Sequence, residues 1–242
     1  MDKLNFKEKT ETIVVNIMGK KSSGKTYASG EIAKYLLNEG YSVYMDAFGT
    51  ELKKIAMLFF GVSKTNFDKA VKDGAELKEK IKLLYLYIYK NIGKEHEFKN
   101  IETDNCINNG INKEIEKDLE YLERFIKDKD VRKILQYTGT EIIRKIEPAF
   151  FTEALKYKLK KIKDCADYII ISDCRFINEY EMLNKEFQHV KNFYITADES
   201  DDNDKHISEI EINQITATYG NEITAVKNDK NKTLDIRMFR LF

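Results

Sequence analysis

Alternation of apolar runs with helical patterns along the chain predicts a parallel β-sheet covered by helices. Ile13 to Met18 is a short β-branched run that Gly19 closes, and apolar residues at helical spacing follow it. Further strands are predicted at Tyr41 to Met45, Tyr168 to Ser172, Val190 to Thr196 and Glu222 to Val226. Strands that alternate with helices favour an α/β fold of the P-loop kinase type, with a parallel sheet of about five strands.

The segment between the second and third predicted strands has no strand pattern and is too long for a plain crossover. Apolar residues recur there at helical spacing, first at Leu77, Ile81, Leu84, Tyr85 and Ile88, then at Ile115, Leu119, Leu122 and Ile126. We therefore predict a nucleotide-binding core of residues 1–60 and 165–242, with residues 61–164 inserted as a helical, substrate-binding lobe. Exposed loops are predicted at Asn100 to Asn112 and at the acidic stretch Glu199 to Lys205.

Composition narrows the class of protein. The 242 residues are 42% hydrophobic and 34% charged, which is typical of a globular domain. Because 41 basic and 41 acidic residues cancel, we expect no direct binding to nucleic acid or to a membrane surface. No apolar run approaches the roughly 18 residues of a membrane span. The start of the chain lacks a signal sequence and the scattered cysteines form no CxxC pair, so a cytoplasmic protein is expected.

A phosphate-loop pattern, G-x-x-x-x-G-K-[ST], is matched at every fixed position by Gly19-Lys20-Lys21-Ser22-Ser23-Gly24-Lys25-Thr26. Such a loop turns successive backbone N–H groups towards a phosphate, and the helix that follows directs its positive dipole end at the same anion. Lys25 would reach the β- and γ-phosphates, and the Thr26 hydroxyl would bind Mg²⁺. The sequence therefore predicts ATP with Mg²⁺ at this loop.

Further residues are needed to separate a kinase from other P-loop proteins. No N-K-x-D sequence follows the fourth predicted strand, which argues against a GTPase. Asp173 ends the third strand, where an acid can orient the metal's water shell or the acceptor phosphate. The alternative for Asp173 is that it caps the helix that begins near Phe176.

Arginine is rare in this chain, with six among the 41 basic residues. Positions that keep arginine therefore indicate a need for its planar fork, which binds phosphate oxygens bidentately. Arg132, Arg144 and Arg175 are the candidates, because they flank strand ends or the helical lobe. A structural salt bridge is the alternative for each of them.

Several blocks, in order along nearly the whole chain, resemble the bacteriophage-type deoxynucleoside monophosphate kinases. They are the phosphate loop, Asp46-Ala-Phe-Gly-Thr-Glu-Leu-Lys53, Arg132-Lys-Ile-Leu-Gln-Tyr-Thr-Gly-Thr-Glu-Ile-Ile-Arg144, Ser172-Asp-Cys-Arg-Phe-Ile-Asn-Glu179 and His206-Ile-Ser-Glu209. The resemblance implies a set of residues around the deoxynucleotide: Asp46, Arg132, Gly139, Thr140, Asp173, Arg175 and Glu179, with Lys53 near its phosphate and Phe151 near its base.

The chain departs from that family pattern at three places. Ile177 replaces a usual proline, Phe151 stands where tryptophan is common, and the acidic stretch Glu199 to Asp204 lacks the arginine that kinase lids often supply. Lys205 and His206 are candidates to replace that arginine. For His206, a capping or loop role is the favoured interpretation.

The predicted reaction is in-line transfer of the γ-phosphoryl group of ATP to a deoxynucleoside monophosphate, giving ADP and dNDP for DNA precursor synthesis. The predicted catalytic residues are Lys25, Arg132, Arg144, Asp173 and Arg175, and the predicted ligands of Mg²⁺ are Thr26 and Asp173. Two alternatives stay open, another small-metabolite kinase such as one acting on dephospho-coenzyme A, and a nucleotide-gated assembly ATPase. The sequence also leaves open a homodimer and, for a phage-encoded chain, a location in the host cytoplasm.

Overall fold

The structure is a computed structural model that describes residues 11–63, 67, 70–71, 73–93, 105–197, 206–229, 234–239 and 241, with residues 105–110 described by backbone alone. The chain divides into two compact units, a core unit of Met1–Phe48 with Thr152–Phe242 and a helical unit of Gly49–Phe151. These boundaries differ from the predicted 61–164 insertion. The difference arises because Ile55 and Phe60 pack into the helical unit, whereas Leu155 and Leu159 pack onto the sheet.

Five parallel strands form the sheet of the core unit, which confirms the predicted α/β fold. In chain order they are β1 (Ile13–Met18), β2 (Val43–Asp46), β3 (Tyr168–Cys174), β4 (Val190–Thr196) and β5 (Ile223–Lys227), and they lie in the order β2-β3-β1-β4-β5. The predicted bounds of β1 and β4 match, and those of the other strands shift by one or two residues. In a parallel sheet all carboxyl ends meet at one edge, where ligands of α/β proteins bind.

Helices account for most of the remaining chain. They are α1 (Lys25–Asn38), α2 (Gly49–Phe60), α3 (Gly74–Asn91), α4 (Asn105–Lys127), α5 (Val131–Tyr137), α6 (Phe150–Ile162), α7 (Ile177–Glu186) and α8 (Ile207–Tyr219), with a π-helix at Thr138–Arg144 and 3₁₀ turns at Gly220–Glu222 and Ile236–Phe239. Within the described residues, no helix combines the length and hydropathy that a bilayer span requires.

Helices cover both faces of the sheet, which explains why the sequence of β1 is a continuous apolar run. Val15 and Ile17 face the cluster that includes α1, whereas Val14 and Met18 face the cluster built with α6, α7 and α8. All four side chains are fully buried. Central strands of parallel sheets lose the polar alternation of half-exposed strands for this reason. The phosphate loop that follows β1 therefore rests on the most buried strand.

One predicted loop is wrong. Asn105 to Asn112 belongs to α4 and not to an exposed loop, although asparagine and glycine have low helix propensity. The apolar stripe that begins near Ile115 extends the helix backwards, since elongation of an anchored helix is easier than nucleation. Residues 100–104, and the acidic stretch Glu199 to Lys205, lie outside the described residues.

A buried carboxylate joins three helices of the helical unit. Asp118 of α4 is 2% exposed and accepts hydrogen bonds of 2.9 Å from the hydroxyl of Tyr85 in α3 and of 2.9 Å from that of Tyr137 in α5. Burial raises the pKa of Asp118, although both tyrosine bonds act in the opposite direction. The π-helix follows Tyr137 directly, so this hydrogen bond anchors the residue that precedes it.

Candidate active site

The phosphate loop occupies the carboxyl end of β1 and leads into α1. Gly19, Ser22 and Gly24 have positive φ angles of 149°, 62° and 91°, so the backbone leaves the usual negative-φ region three times before the helix begins at Lys25. Such turns point backbone N–H groups into a concave anion site at a helix N-terminus. The Ser23 hydroxyl is fully buried and, within the described part of the chain, has no hydrogen-bond partner.

Asn228 packs against this loop from the end of β5. Its Nδ2 donates a 3.0 Å hydrogen bond to the Ser23 carbonyl oxygen, and its backbone N–H donates one of 2.8 Å to the Thr196 carbonyl oxygen. A Cβ on Gly24 would lie 2.0 Å from that same Nδ2. Position 24 therefore requires glycine for two reasons, the left-handed φ and the close approach of Asn228.

Lys25 is held inside the loop. Its Nζ donates hydrogen bonds of 2.6 Å to the Gly19 carbonyl and of 2.5 Å to the Lys20 carbonyl, and the residue is 8% exposed. The pKa of Lys25 is lowered from 10.5 to about 8, mainly by burial and also by the Arg175 guanidinium, while the carboxylates of Glu209 and Asp173 oppose the change. Lys25 therefore shares its surroundings with Asp173 at the end of β3, with Arg175 in the turn that follows, and with Glu209 of α8.

Two acids predicted for the site lie at the ends of adjacent strands. Asp46 ends β2 and is paired with Ile171 of β3, and its carboxylate accepts from the Tyr44 hydroxyl at 2.9 Å. Asp173 lies two residues further along β3, and its Oδ1 accepts a 2.7 Å bond from the Phe48 N–H. The N-cap of α7 is Phe176, so the alternative that Asp173 is the capping residue is wrong.

The turn from β3 into α7 presents Arg175. Glu179 is 1% exposed, and its Oε2 accepts hydrogen bonds from the backbone N–H of Arg175 at 2.8 Å and of Phe176 at 3.1 Å. In this structure Glu179 therefore shapes the turn. The guanidinium of Arg175 reaches α8, where its Nη1 donates a 2.6 Å bond to Glu209.

The remaining predicted residues lie in the helical unit. Lys53 is an exposed residue of α2, and Arg132 is a half-buried residue of α5. Gly139, Thr140 and Arg144 share the π-helix, a rare element that often marks functional sites. Gly139 packs on Leu52, since a Cβ there would lie 2.8 Å from Leu52 Cδ2.

Phe151 lies in the core of the helical unit, 3% exposed, with its ring edge-on to Phe150. The guanidinium carbon of Arg144 lies 5.0 Å from the centroid of the Phe151 ring, and Arg144 Nη1 donates a 3.3 Å bond to the Pro148 carbonyl. In this structure the ring supports an arginine through a cation–π contact. Its role against a base stays a prediction.

Comparison with known families identifies the family of this chain. The sequence model of the family "Deoxynucleotide monophosphate kinase" matches residues 12–232, nearly the whole chain. The chain belongs to the deoxynucleotide monophosphate kinase family. It is therefore an enzyme that phosphorylates deoxynucleoside monophosphates. No curated protein matches the chain.

Two residues of this deoxynucleotide monophosphate kinase, Glu209 and Asn228, contact the phosphate loop in the structure, although the sequence did not assign them to the site. Glu209 belongs to the His206-Ile-Ser-Glu209 block, and a glutamate three residues after an N-cap indicates helix capping. His206 is indeed the N-cap of α8, since its Nδ1 accepts from the Ser208 N–H, so the favoured capping role is confirmed. Asn228 has no sequence signal beyond its position after the last predicted strand.

Proposed function

We propose that the enzyme transfers the γ-phosphoryl group of ATP to a deoxynucleoside monophosphate, with the ATP phosphates held by the loop Gly19 to Thr26. The observation that carries this proposal is the position of Lys25. A buried ammonium group bonded to two carbonyl oxygens of the loop is ready to exchange them for the β- and γ-phosphate oxygens. Because the loop is already folded around it, little reorganisation is needed when the nucleotide binds.

Thr26 and Asp173 would hold Mg²⁺. Thr26 is exposed at the start of α1, and Asp173 is half-buried at the end of β3. The described residues contain no group of three or more histidine, cysteine or acidic side chains that could hold a metal. A hydroxyl with one carboxylate fits an ion that takes its other ligands from phosphates and water. When bound, Mg²⁺ supplies positive charge to the phosphoryl oxygens.

Arg175 would stabilise the charge that develops on the transferring phosphoryl group. Its guanidinium affects the pKa of Lys25, which supports a place close to the ATP phosphates. Asp46, at the end of the neighbouring strand, is proposed to contact the substrate, and Glu179 to act by shaping the Arg175 turn.

The helical unit would bind the acceptor. Its proposed substrate-binding residues are Lys53, Arg132, Gly139, Thr140, Arg144 and Phe151. Arg132 and Arg144 carry the charge that a monophosphate needs, since a guanidinium binds phosphate oxygens bidentately. The cation–π contact with Phe151 supports this, because it restricts the Arg144 side chain before any ligand binds.

The test is ADP release from ATP and Mg²⁺ with each common deoxynucleoside and ribonucleoside monophosphate. We expect turnover with one or more deoxynucleotides and a kcat/KM roughly ten- to a hundredfold lower for the matching ribonucleotide, because a buried, unpaired 2′-hydroxyl costs about 1–3 kcal/mol. Lys25→Ala should lower turnover about a hundredfold or more while the protein keeps its fold by circular dichroism. Unchanged turnover in Lys25→Ala would contradict the proposal.

A further inference from the structure

Glu209 is a buried acid whose two oxygens bind two different parts of the core unit. It is 4% exposed and is the third residue of α8. Oε1 accepts the 2.6 Å bond from Nη1 of Arg175, and Oε2 accepts a 3.3 Å bond from the backbone N–H of Lys21. A buried carboxylate is stable only with such partners. The side chain therefore links the β3–α7 turn to the phosphate loop.

Both partners of Glu209 belong to the proposed phosphate-binding machinery. Lys21 lies in the loop, and Arg175 lies close enough to Lys25 to lower its pKa. Two neighbouring cations repel each other, and the Glu209 carboxylate offsets that repulsion. The Arg175 side chain remains 28% exposed, and a guanidinium has further N–H donors beyond the one that Glu209 accepts. The ion pair thus orients Arg175 without enclosing it.

We propose that Glu209 is a positioning residue for phosphoryl transfer, which holds the Arg175 guanidinium and the Lys21 end of the phosphate loop in fixed register. This inference rests on the proposed function, in which the loop and Arg175 bind phosphoryl oxygens. The physical reason is preorganisation. Rotamer freedom of Arg175 is lost on folding and not during the reaction, so the fork already points correctly when charge develops. Glu209 itself does not need to touch the nucleotide.

Glu211 provides a matched control from the same helix. Its Oε2 accepts a 2.9 Å bond from the backbone N–H of Ile177, the first residue of α7. Glu211 is thus also an acid of α8 that binds the segment after β3, but its bond goes to neither Arg175 nor Lys21. General loosening of α8 against α7 would affect both glutamates. Loss of the Arg175 orientation would affect Glu209 alone.

The first measurement compares Glu209→Gln with Glu211→Gln, using ATP, Mg²⁺ and a deoxynucleotide that the wild type phosphorylates. We expect Glu209→Gln to lower kcat about ten- to a hundredfold with a much smaller change in KM for the acceptor, because misplacement of a charged group affects the transition state most. Glu211→Gln should stay within about twofold of wild type. Equal losses in the two variants would overturn the proposal.

A double-mutant cycle with Arg175→Lys separates this inference from the proposed function. If Glu209 acts through Arg175, adding Glu209→Gln to Arg175→Lys should lower kcat by no more than about twofold. Independent, multiplying losses would overturn the positioning role while leaving the role of Arg175 intact. Full activity of Arg175→Lys would instead reject the role of Arg175 itself. Should Glu209→Gln not fold, Glu209→Asp keeps the charge with a shorter reach, and wild-type kcat in that variant would also overturn the proposal.

Discussion

The side-chain amide of Asn228 and the carbonyl oxygen of Ser23 are joined by a 3.0 Å hydrogen bond across 205 residues of sequence. Asn228 is 5% exposed and is fixed in turn by its backbone bond to Thr196. Asn228, the residue that follows β5, therefore supports the backbone of the phosphate loop. This support acts on the loop backbone, so it bears on how well the loop is preorganised for a nucleotide.

Replacement of Asn228 should weaken ATP binding in a graded way. Asn228→Ala removes one buried hydrogen bond, and we expect KM for ATP to rise roughly two- to tenfold. Asn228→Asp places a carboxylate oxygen against the Ser23 carbonyl oxygen, so its effect should be larger than that of alanine. Steady-state kinetics with ATP as the varied substrate measures both. An aspartate variant as active as wild type would contradict this role.

The pH dependence of ATP use should report the charge of Lys25. Its pKa is lowered to about 8, so in the free enzyme Lys25 loses its proton as pH rises through that value. We expect kcat/KM for ATP to fall above about pH 8, whereas kcat should stay level to higher pH because bound phosphates favour the charged form. Profiles between about pH 6 and pH 9.5 test this expectation. A kcat/KM that is flat across the range would contradict it.

The same pKa has a consequence for stability. Between about pH 8 and pH 10.5 the unfolded chain holds a proton on Lys25 that the folded protein has lost. The contribution of this group to the free energy of unfolding therefore rises with pH across that window. Lys25→Met should remove the rise, which urea unfolding at two pH values in the window would detect relative to wild type.

Gly139 should tolerate alanine but not a β-branched residue. Alanine gains helix propensity of up to about 1 kcal/mol, which offsets displacement of the flexible end of Leu52. Valine adds branched bulk at the same contact, and we expect it to destabilise the protein by about 1–3 kcal/mol. Thermal unfolding measures both variants. Leu52→Ala should restore part of the stability of Gly139→Val, and failure to do so would argue against the Leu52 contact as the cause.

Replacement of Asp118 should show how much its buried charge lowers the stability of the protein. Its raised pKa means that the folded state holds the proton more strongly, so the stability from this group is present below pH 3.8 and is lost as pH rises through the folded pKa. Asp118→Asn should therefore become more stable relative to wild type as pH rises from about 4 towards 7. Asp118→Leu leaves two tyrosine hydroxyls without their acceptor and should be less stable throughout. Urea unfolding of all three proteins at both pH values is the measurement.

The sequence by itself determined the strands, the phosphate loop and the family. Apolar runs and the spacing of Gly19, Gly24 and Lys25 are local patterns, and they specify a strand, a turn and a helix without reference to distant residues. For the same reason the bounds of β1 and β4 were predictable to the residue. The loop predicted at Asn100 to Asn112 failed in its described part, Asn105 to Asn112, because local propensity there was overridden by a long amphipathic helix.

Only the tertiary structure decided which side chains support the site. Glu209 accepts hydrogen bonds from Arg175 and Lys21, and Asn228 donates one to Ser23, so these bonds join residues that are far apart in sequence and that meet at the carboxyl edge of the sheet. No spacing rule reaches across such distances, and a glutamate after an N-cap indicates only a helix end. Burial, which depends on the packed structure, lowers the pKa of Lys25 and raises that of Asp118. Packing in the helical unit likewise places the Phe151 ring beneath Arg144.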